Sequence, residues 1–510
     1  MGLCVLAIYV ISGFFYWVAI RVIYPYQLDY GEGILLWQAQ HASHLSTAYA
    51  SIHHYPYIVF HYPPLYQIIS LATSILTGDL LIAGRLVSAI SCFGISVTLA
   101  WVVYCTAPKS ASRSTAVGGA ALAASSPFGL ITMMFWTPLM RVDMLGLFFT
   151  FTGLSVFILA RTAAQRYCAF ALFVAAMYTR QSLIAGAVAC LLVAGIMNLR
   201  ETIKMFAFTA LLGGTVMGVL SFATHGEIIK HLFLYNVNRF SIGSCISMFS
   251  FNLLLVAPIA PLAAVAAASP VRDAARLLSR RNAGRLRARL SSNPYRIALF
   301  TFTAYFILSG VVSLAAGKSG ASLNYFLELD LAACALASLL TARRVWWHRP
   351  KRAKSKAGFS NALPMLFIGF QALTVSALVY FNYVTRDMRV QGARNSAALV
   401  RRLSSSPDPV MSEDMTLLYK AGKQLPFEPA IVTELAAVHI WDETPLVDMI
   451  RSQRFSVMIL GSDPDWLHRY SPAVMHSILE NYQPTETYAE FSDSFTVYVP
   501  SSRASSIKVR

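Results

Sequence analysis

Two carboxylates stand three positions apart in Leu28-Asp29-Tyr30-Gly31-Glu32-Gly33, just after the first apolar stretch. Residues 24–81 contain no Lys or Arg to neutralise them. A carboxylate in such a place can act as a general base that takes the proton of an acceptor group as it attacks an anomeric carbon. The same spacing fits a capping box, with Asp29 as the cap and Glu32 as its partner. The residue types leave both interpretations open.

Aromatic and histidine side chains crowd the same segment. Tyrosines are suited to a belt at the membrane interface and also to stacking on sugar faces, and Tyr62 is a candidate for the second role. The histidines could include metal ligands, but no third ligand is fixed by spacing. The tyrosines are Tyr24, Tyr26, Tyr30, Tyr49, Tyr55, Tyr57, Tyr62 and Tyr66, and the histidines are His41, His44, His53, His54 and His61.

Charged residues also interrupt later apolar stretches. Arg141 and Asp143 follow Trp136-Thr137-Pro138, where ionisable side chains are costly unless paired or hydrated. They are candidates for substrate binding or for an ion pair with each other. Asn324 and Glu328 share one helical face at the start of another apolar stretch, which favours a polar cavity. Helix packing is the alternative for that pair.

Fixed cations could stabilise a phosphate leaving group at a membrane surface. Arg180 and Arg239 rank above Lys318, because a guanidinium presents two parallel donors to a phosphate. Arg85 is placed at the inner end of its span and ranks below them. Each cation could instead reach lipid headgroups.

The composition indicates a membrane protein. Of 510 residues, 56% are apolar and 13% charged, and the mean hydropathy is +0.55. These values exclude a disordered chain and disfavour a soluble enzyme. The net charge of +17 by itself would suggest nucleic-acid binding.

The basic residues, however, concentrate in five short loops, which is typical of the cytoplasmic loops of a membrane protein, so no nucleic-acid partner is expected. The loops are 106–114, 161–166, 198–204, 269–296 and 342–361.

Eleven crossings place all basic loops on one side, with the N-terminus cytoplasmic and residues 383–510 outside. The stretch 62–78 is too short to span and is expected to lie along the outer surface. The interruption Thr179-Arg180-Gln181 predicts two short helices within 167–197. The expected spans are 3–23, 82–105, 115–136, 139–160, two within 167–197, 205–223, 245–268, 297–316, 322–341 and 362–382.

The tail, residues 383–510, differs from the rest of the chain. Short apolar runs alternate with helical stretches, and Glu490-Phe491-Ser492-Asp493-Ser494-Phe495 indicates a hairpin. This pattern predicts that residues 383–510 form a small extracytoplasmic α/β domain. Residues 1–382 are expected to form a polytopic α-helical domain, whose first outer loop is 24–81. The seven cysteines lie in or at the ends of apolar segments and predict neither a disulfide framework nor a metal site.

In order and spacing, these segments resemble the glycosyltransferase C superfamily, which includes protein O-mannosyltransferases and aminoarabinose transferases. The likeness covers most of residues 1–382. It rests on the acidic motif, Tyr62-Pro63-Pro64-Leu65, Arg85-Leu86-Val87-Ser88, Arg141-Val142-Asp143, Thr179-Arg180-Gln181 and Asn324-Tyr325-Phe326-Leu327-Glu328.

The resemblance implies an inverting transferase that takes a sugar from a polyprenyl-phosphate carrier, with a first-loop carboxylate as base. Glu32 falls on the family's Glu, whereas Gly31 replaces the usual Asp, so Asp29 and Glu32 both remain catalytic candidates. The candidate substrate-binding residues are Tyr62, Arg141, Asp143, Arg180, Arg239, Asn324, Tyr325 and Glu328.

The expected location is the bacterial inner membrane, and the expected acceptor is a glycan, lipid or protein. No cofactor is specified, and a divalent metal stays open. The rival functions are a lipid-linked-sugar transporter and a non-catalytic subunit of envelope assembly.

Overall fold

The computed structural model describes most of the chain. Parts of the predicted basic loops 269–296 and 342–361 lie outside the described residues. The described residues are 2–276, 284, 286–288, 290, 293–343, 358–462, 469–491 and 493–502.

Apolar helices predominate among the described residues of 2–384 outside the first loop. Among the described residues, six helices are long and apolar enough to cross a membrane, or seven if one bent pair of helices counts as a single span. The protein is therefore a multi-pass integral membrane protein, although these helices do not establish eleven crossings. The helices are Gly2–Val22, Leu80–Thr106, Arg113–Ser125, Ile131–Trp136, Asp143–Leu159, Ala163–Thr179, Ala185–Met197, Leu199–Ala223, Ile242–Val256, Ala260–Ala275, Pro294–Val312, Leu327–Arg343 and Gly358–Val384.

Proline breaks one predicted straight span. The expected span 245–268 is wrong as a single helix, because Ile242–Val256 and Ala260–Ala275 meet at a bend of 99°. Pro258 lies in the break and Pro261 in the first turn of the second helix. Proline lacks the N–H that would donate to the preceding turn, so Pro258 cannot continue the hydrogen bonding of the first helix, which ends at Val256.

The predicted interruption near Arg180 is present. Ala163–Thr179 ends at Arg180, whose backbone is extended, and Ala185–Met197 begins after a short turn. The Arg180 side chain therefore leaves the chain between two apolar helices rather than from within one.

The first loop contains three helices, Gly31–Gln40, Leu45–Ala48 and Leu65–Thr77. The third ends at Gly78, whose φ of +72° favours glycine. It buries Tyr66, Gln67 and Ser70 and exposes Ile75 and Leu76. This amphipathic pattern agrees with a surface helix, while its contact with lipid stays a prediction.

The tail is a small α/β domain, as predicted. Its strands are β1 Met411–Ser412, β2 Met458–Gly461, β3 Tyr482–Ala489 and β4 Ser494–Pro500. They form one sheet with the order β1-β2-β4-β3, in which β1 is parallel to β2 and the other neighbours are antiparallel. The β3–β4 hairpin contains the predicted turn. The helices of the tail are Arg386–Ser405, Met415–Lys420, Pro429–Ala437, Thr444–Arg451 and Pro472–Asn481.

The tail and the first loop share apolar cores. Ile34 and Trp37 of the loop pack in one cluster with Met415 of the tail. Tyr57 packs in another cluster with Trp441, whose indole donates to the Ile52 carbonyl over 3.0 Å. The first loop is therefore held between the membrane helices and the tail, which fixes the side chains that it carries.

Candidate active site

A cavity of about 620 Å³ lies where the first loop, the Arg180 hinge, two later loops and the tail meet. Five predicted site residues line it. They are Asp29, Tyr62, Arg141, Arg180 and Tyr325.

Asp29 forms an ion pair with Arg141 at the wall of this cavity. The Asp29 side chain keeps 29% of its surface exposed, and the Arg141 side chain keeps 20%. The Asp29 carboxylate also accepts the Gly31 N–H over 3.0 Å, which fixes its direction. Asp29 is thus both held in place and open to the cavity.

Glu32 has a different environment. Its carboxylate and the Arg85 guanidinium are fully shielded from solvent and are joined by Nε–Oε1 and Nη2–Oε2 bonds of 2.8 and 2.7 Å. Arg85 lies near the first-loop end of Leu80–Thr106, so its placement at the inner end of the span is wrong. Glu32 is not among the cavity-lining residues. The capping box forms only in part: the Asp29 carboxylate accepts the N–H of Gly31, the first residue of Gly31–Gln40, but the Glu32 carboxylate accepts the Leu28 N–H instead of the Asp29 N–H.

A second ion pair joins Asp143 and Arg180. Arg141 and Asp143 therefore pair with separate partners rather than with each other. Asn324 donates to Asp143 over 3.1 Å, and the Arg180 guanidinium carbon lies 5.1 Å from the Tyr325 ring centroid. Asp143 is almost fully buried, whereas Arg180 reaches the cavity.

Asn324 and Glu328 come together beside Arg180, as their spacing predicts. With Tyr325, they line a small recess of about 10 Å³ that shares residues with the main cavity. Tyr305 donates to Glu328 over 2.9 Å. Glu328 is thus a buried, partnered side chain next to the cavity.

The two remaining candidate cations, Arg239 and Lys318, differ in their position relative to the cavity. The Arg239 side chain is 73% exposed, lies 4.0 Å from Glu434, and is not among the cavity-lining residues. Lys318 lines the cavity. The Ser319 N–H donates to the Arg239 carbonyl over 2.7 Å, so the loops that carry the two cations are neighbours. Of these two cations, Lys318 lines the cavity and Arg239 does not.

The tail supplies wall residues that sequence reasoning did not single out. Tyr30 donates to Glu428, and the Arg469 guanidinium carbon lies 3.8 Å from the Tyr30 ring centroid. Burial is the main cause that raises the pKa of both Tyr30 and Glu428. Glu428, Glu434 and Arg469 line the cavity. No local pattern marks them, because their partners lie far away in the chain.

His61 lines the cavity as an uncharged group. Burial lowers its pKa to about 4, against the opposing effect of the bond from Nε2 to the Tyr235 carbonyl. Within the part of the chain that the structure describes, no three His, Cys, Asp or Glu side chains come together as metal ligands.

Solved structures share this architecture. No protein-family model and no curated protein matches the chain. ArnT from Cupriavidus metallidurans bound to undecaprenyl phosphate is 13% identical, with a TM-score of 0.60 over 96% of this chain and 97% of that chain. Archaeal oligosaccharyltransferase AglB from Archaeoglobus fulgidus, in complex with an inhibitory peptide and a dolichol-phosphate, is 10% identical, with a TM-score of 0.52 over 96% of this chain and 74% of that one.

The chain has the glycosyltransferase C fold. Both solved proteins are integral-membrane glycosyltransferases of this fold, so the fold expected from the sequence is confirmed. At 10 and 13% identity, the likeness establishes the glycosyltransferase C fold alone. The reaction that the protein catalyses has to be inferred from the residues of its cavity.

The close approach of Gly31 to Arg141 predicts a sensitive position. A Cβ at Gly31 would overlap the Arg141 guanidinium. Because the guanidinium is the far end of a flexible side chain, Gly31→Ala should displace it from Asp29 with little loss of stability. We expect the rate of any reaction that needs this pair to fall about tenfold or more.

The measurement compares turnover and thermal unfolding of Gly31→Ala with those of Gly118→Ala, where a Cβ meets nothing within 4 Å. Full turnover in Gly31→Ala would show that the Asp29–Arg141 contact is dispensable.

Proposed function

We propose that this protein is an integral-membrane glycosyltransferase that moves a sugar from a polyprenyl-phosphate carrier to an acceptor on the outer face of the membrane. The observation that carries the proposal is one cavity in which a partly exposed carboxylate, Asp29, shares the walls with Arg180 and Lys318. Similar folds are seen in ArnT bound to undecaprenyl phosphate and in AglB with a dolichol-phosphate.

Asp29 is the proposed general base. The acceptor hydroxyl forms its bond to the anomeric carbon while the bond from that carbon to the phosphate oxygen breaks, and the electron pair leaves with the phosphate. Asp29 takes the hydroxyl proton. A single displacement of this kind inverts the anomeric centre. Glu32 is less suited to this role, since all its surface is buried against Arg85 and backbone donors.

Arg180 and Lys318 are the proposed phosphate ligands. Charge develops on the leaving phosphate, and fixed cations in a partly enclosed site stabilise it more than they would in water. Asp143, Asn324 and Tyr325 orient the Arg180 guanidinium rather than contacting the sugar themselves. Tyr62 lines the same cavity and can offer its ring to a sugar face.

The proposed location is the bacterial inner membrane, with a cytoplasmic N-terminus and the cavity and tail outside. The short basic loops support this orientation, because Lys and Arg are retained on the cytoplasmic side. The tail packs on the first loop, so both must lie on the same side of the membrane.

Removing the base should abolish most of the turnover. We expect Asp29→Asn to lower the release of polyprenyl phosphate about 10²- to 10⁴-fold, the usual contribution of a general base. Purified protein in lipid vesicles would be given a panel of labelled polyprenyl-phosphate sugars and an envelope fraction as acceptor.

Glu201→Gln, in an exposed pair with Lys204, is the matched loss of one carboxylate. Undiminished turnover in Asp29→Asn would exclude this base. Movement of intact donor across the vesicle without cleavage by the wild type would instead establish a transporter.

The different exposures of Lys318 and Arg239 give a matched test of the phosphate site. Lys318→Gln should weaken binding of undecaprenyl phosphate about 10- to 100-fold, since a charge-assisted hydrogen bond contributes about 1.5–3 kcal/mol. Arg239→Gln should bind like the wild type, because the Arg239 side chain is largely exposed and is not among the residues that line the cavity. Titration of both variants with the lipid measures the effect, and the reverse order of affinities would restore the ranking based on residue type.

The tail wall is the proposed contact for the acceptor. Glu434 lies on Pro429–Ala437, facing the cavity with Glu428 and Thr433, while Asn236 and Asn238 lie in the loop that contains Arg239. Carboxylate, amide and hydroxyl groups together suit a hydroxyl-bearing acceptor, which offers both donors and acceptors.

Glu434→Gln should reduce acceptor-stimulated release of polyprenyl phosphate about fivefold, as expected for loss of one hydrogen bond. Release to water, measured without the acceptor fraction, should remain unchanged. An equal loss in both assays would indicate damage to donor binding and contradict an acceptor role for this wall.

A further inference from the structure

Glu32 uses its whole carboxylate inside the protein. Each oxygen receives one bond from Arg85 and one from a backbone N–H: Oε2 from Leu28 and Oε1 from Met140, both over 2.8 Å. Four donors thus converge on one side chain that has no exposed surface.

The two backbone donors adjoin the two members of the cavity ion pair. Leu28 precedes Asp29, and Met140 precedes Arg141. A single rigid carboxylate group therefore joins the two chain segments at the positions where the Asp29 and Arg141 side chains begin.

Arg85 extends the same arrangement. Its guanidinium donates to the Tyr26 carbonyl over 2.7 Å and also to the Tyr24 carbonyl, so it anchors the chain leading to Asp29. On the other segment, the Ser88 hydroxyl donates to the Arg141 carbonyl over 3.2 Å. Arg85 and Ser88 belong to the same helix, Leu80–Thr106, which serves as the common support.

We propose that Glu32, held by Arg85, is a positioning residue that sets the spacing of the Asp29–Arg141 pair and acts on turnover only through it. This inference rests on the proposed function, since turnover is its readout. A buried carboxylate oriented by several donors gives the precision that a base needs, because a displacement of about 1 Å can cost about 10²-fold in rate.

The substitution Glu32→Gln tests the arrangement because an amide supplies one oxygen where four donors meet. Two donors must then face an NH₂ group, and the Leu28 and Met140 backbones cannot both stay anchored. Turnover should fall about tenfold to 10²-fold.

A double-mutant cycle separates positioning from other roles. Polyprenyl-phosphate release would be measured for wild type, Glu32→Gln, Asp29→Asn and the double variant, using the donor panel and envelope fraction described above. In the Asp29→Asn background, Glu32→Gln should change the residual rate less than about threefold, because the side chain it positions has already lost its function. Effects that multiply would overturn the proposal, since both general unfolding and an independent chemical role persist after Asp29 is removed.

Ser88→Ala keeps the test decisive if Glu32→Gln does not fold. This substitution removes the hydroxyl that donates to the Arg141 carbonyl and leaves the buried Glu32–Arg85 ion pair intact. It should cause a smaller loss that also disappears in the Asp29→Asn background, and a loss that persists there would overturn the proposal. An inactive wild type would contradict the proposed function itself, whereas an active wild type with multiplying effects contradicts only the role of Glu32.

Discussion

A carboxylate removed from water must find its hydrogen bonds inside the protein, and Glu32 finds four donors around the buried Arg85 guanidinium. Loss of one partner would leave an uncompensated buried charge, which typically costs about 3–5 kcal/mol. The pair therefore constrains every segment that it touches. Those segments are the end of the first membrane helix, the acidic loop, the start of Leu80–Thr106 and the chain before Asp143.

Charged side chains become more exposed from the buried Glu32–Arg85 pair toward the cavity. Glu32 is fully buried, Asp29 is held by Arg141 but partly exposed, and Arg180 lines the cavity while it pairs with the buried Asp143. A reacting group needs both a fixed direction and access, and only the residues at the cavity wall have both. The tail completes the enclosure through Glu428 and Arg469 around Tyr30.

The sequence predicted features that depend on local pattern. The interruption at Arg180, the β3–β4 hairpin and the grouping of Asn324 with Glu328 all follow from polar residues at specific positions in apolar or alternating stretches. The bend after Val256 also has a local signal, two prolines, which a count of apolar residues overlooks. The ion-pair partners could not be predicted, because equivalent cations compete for each carboxylate until the helices pack. The contribution of Glu428 and Arg469 depends on docking between segments about 400 positions apart.

In the proposed mechanism, one cavity brings a polyprenyl phosphate and the Asp29 carboxylate together. An experimental structure with undecaprenyl phosphate bound would test this arrangement, because the position of the phosphate is then observed. We expect phosphate oxygens within hydrogen-bonding distance of Arg180 and Lys318, with Asp29 facing the space that a sugar on that phosphate would occupy. A phosphate bound outside this cavity, or one whose sugar would point away from Asp29, would contradict it.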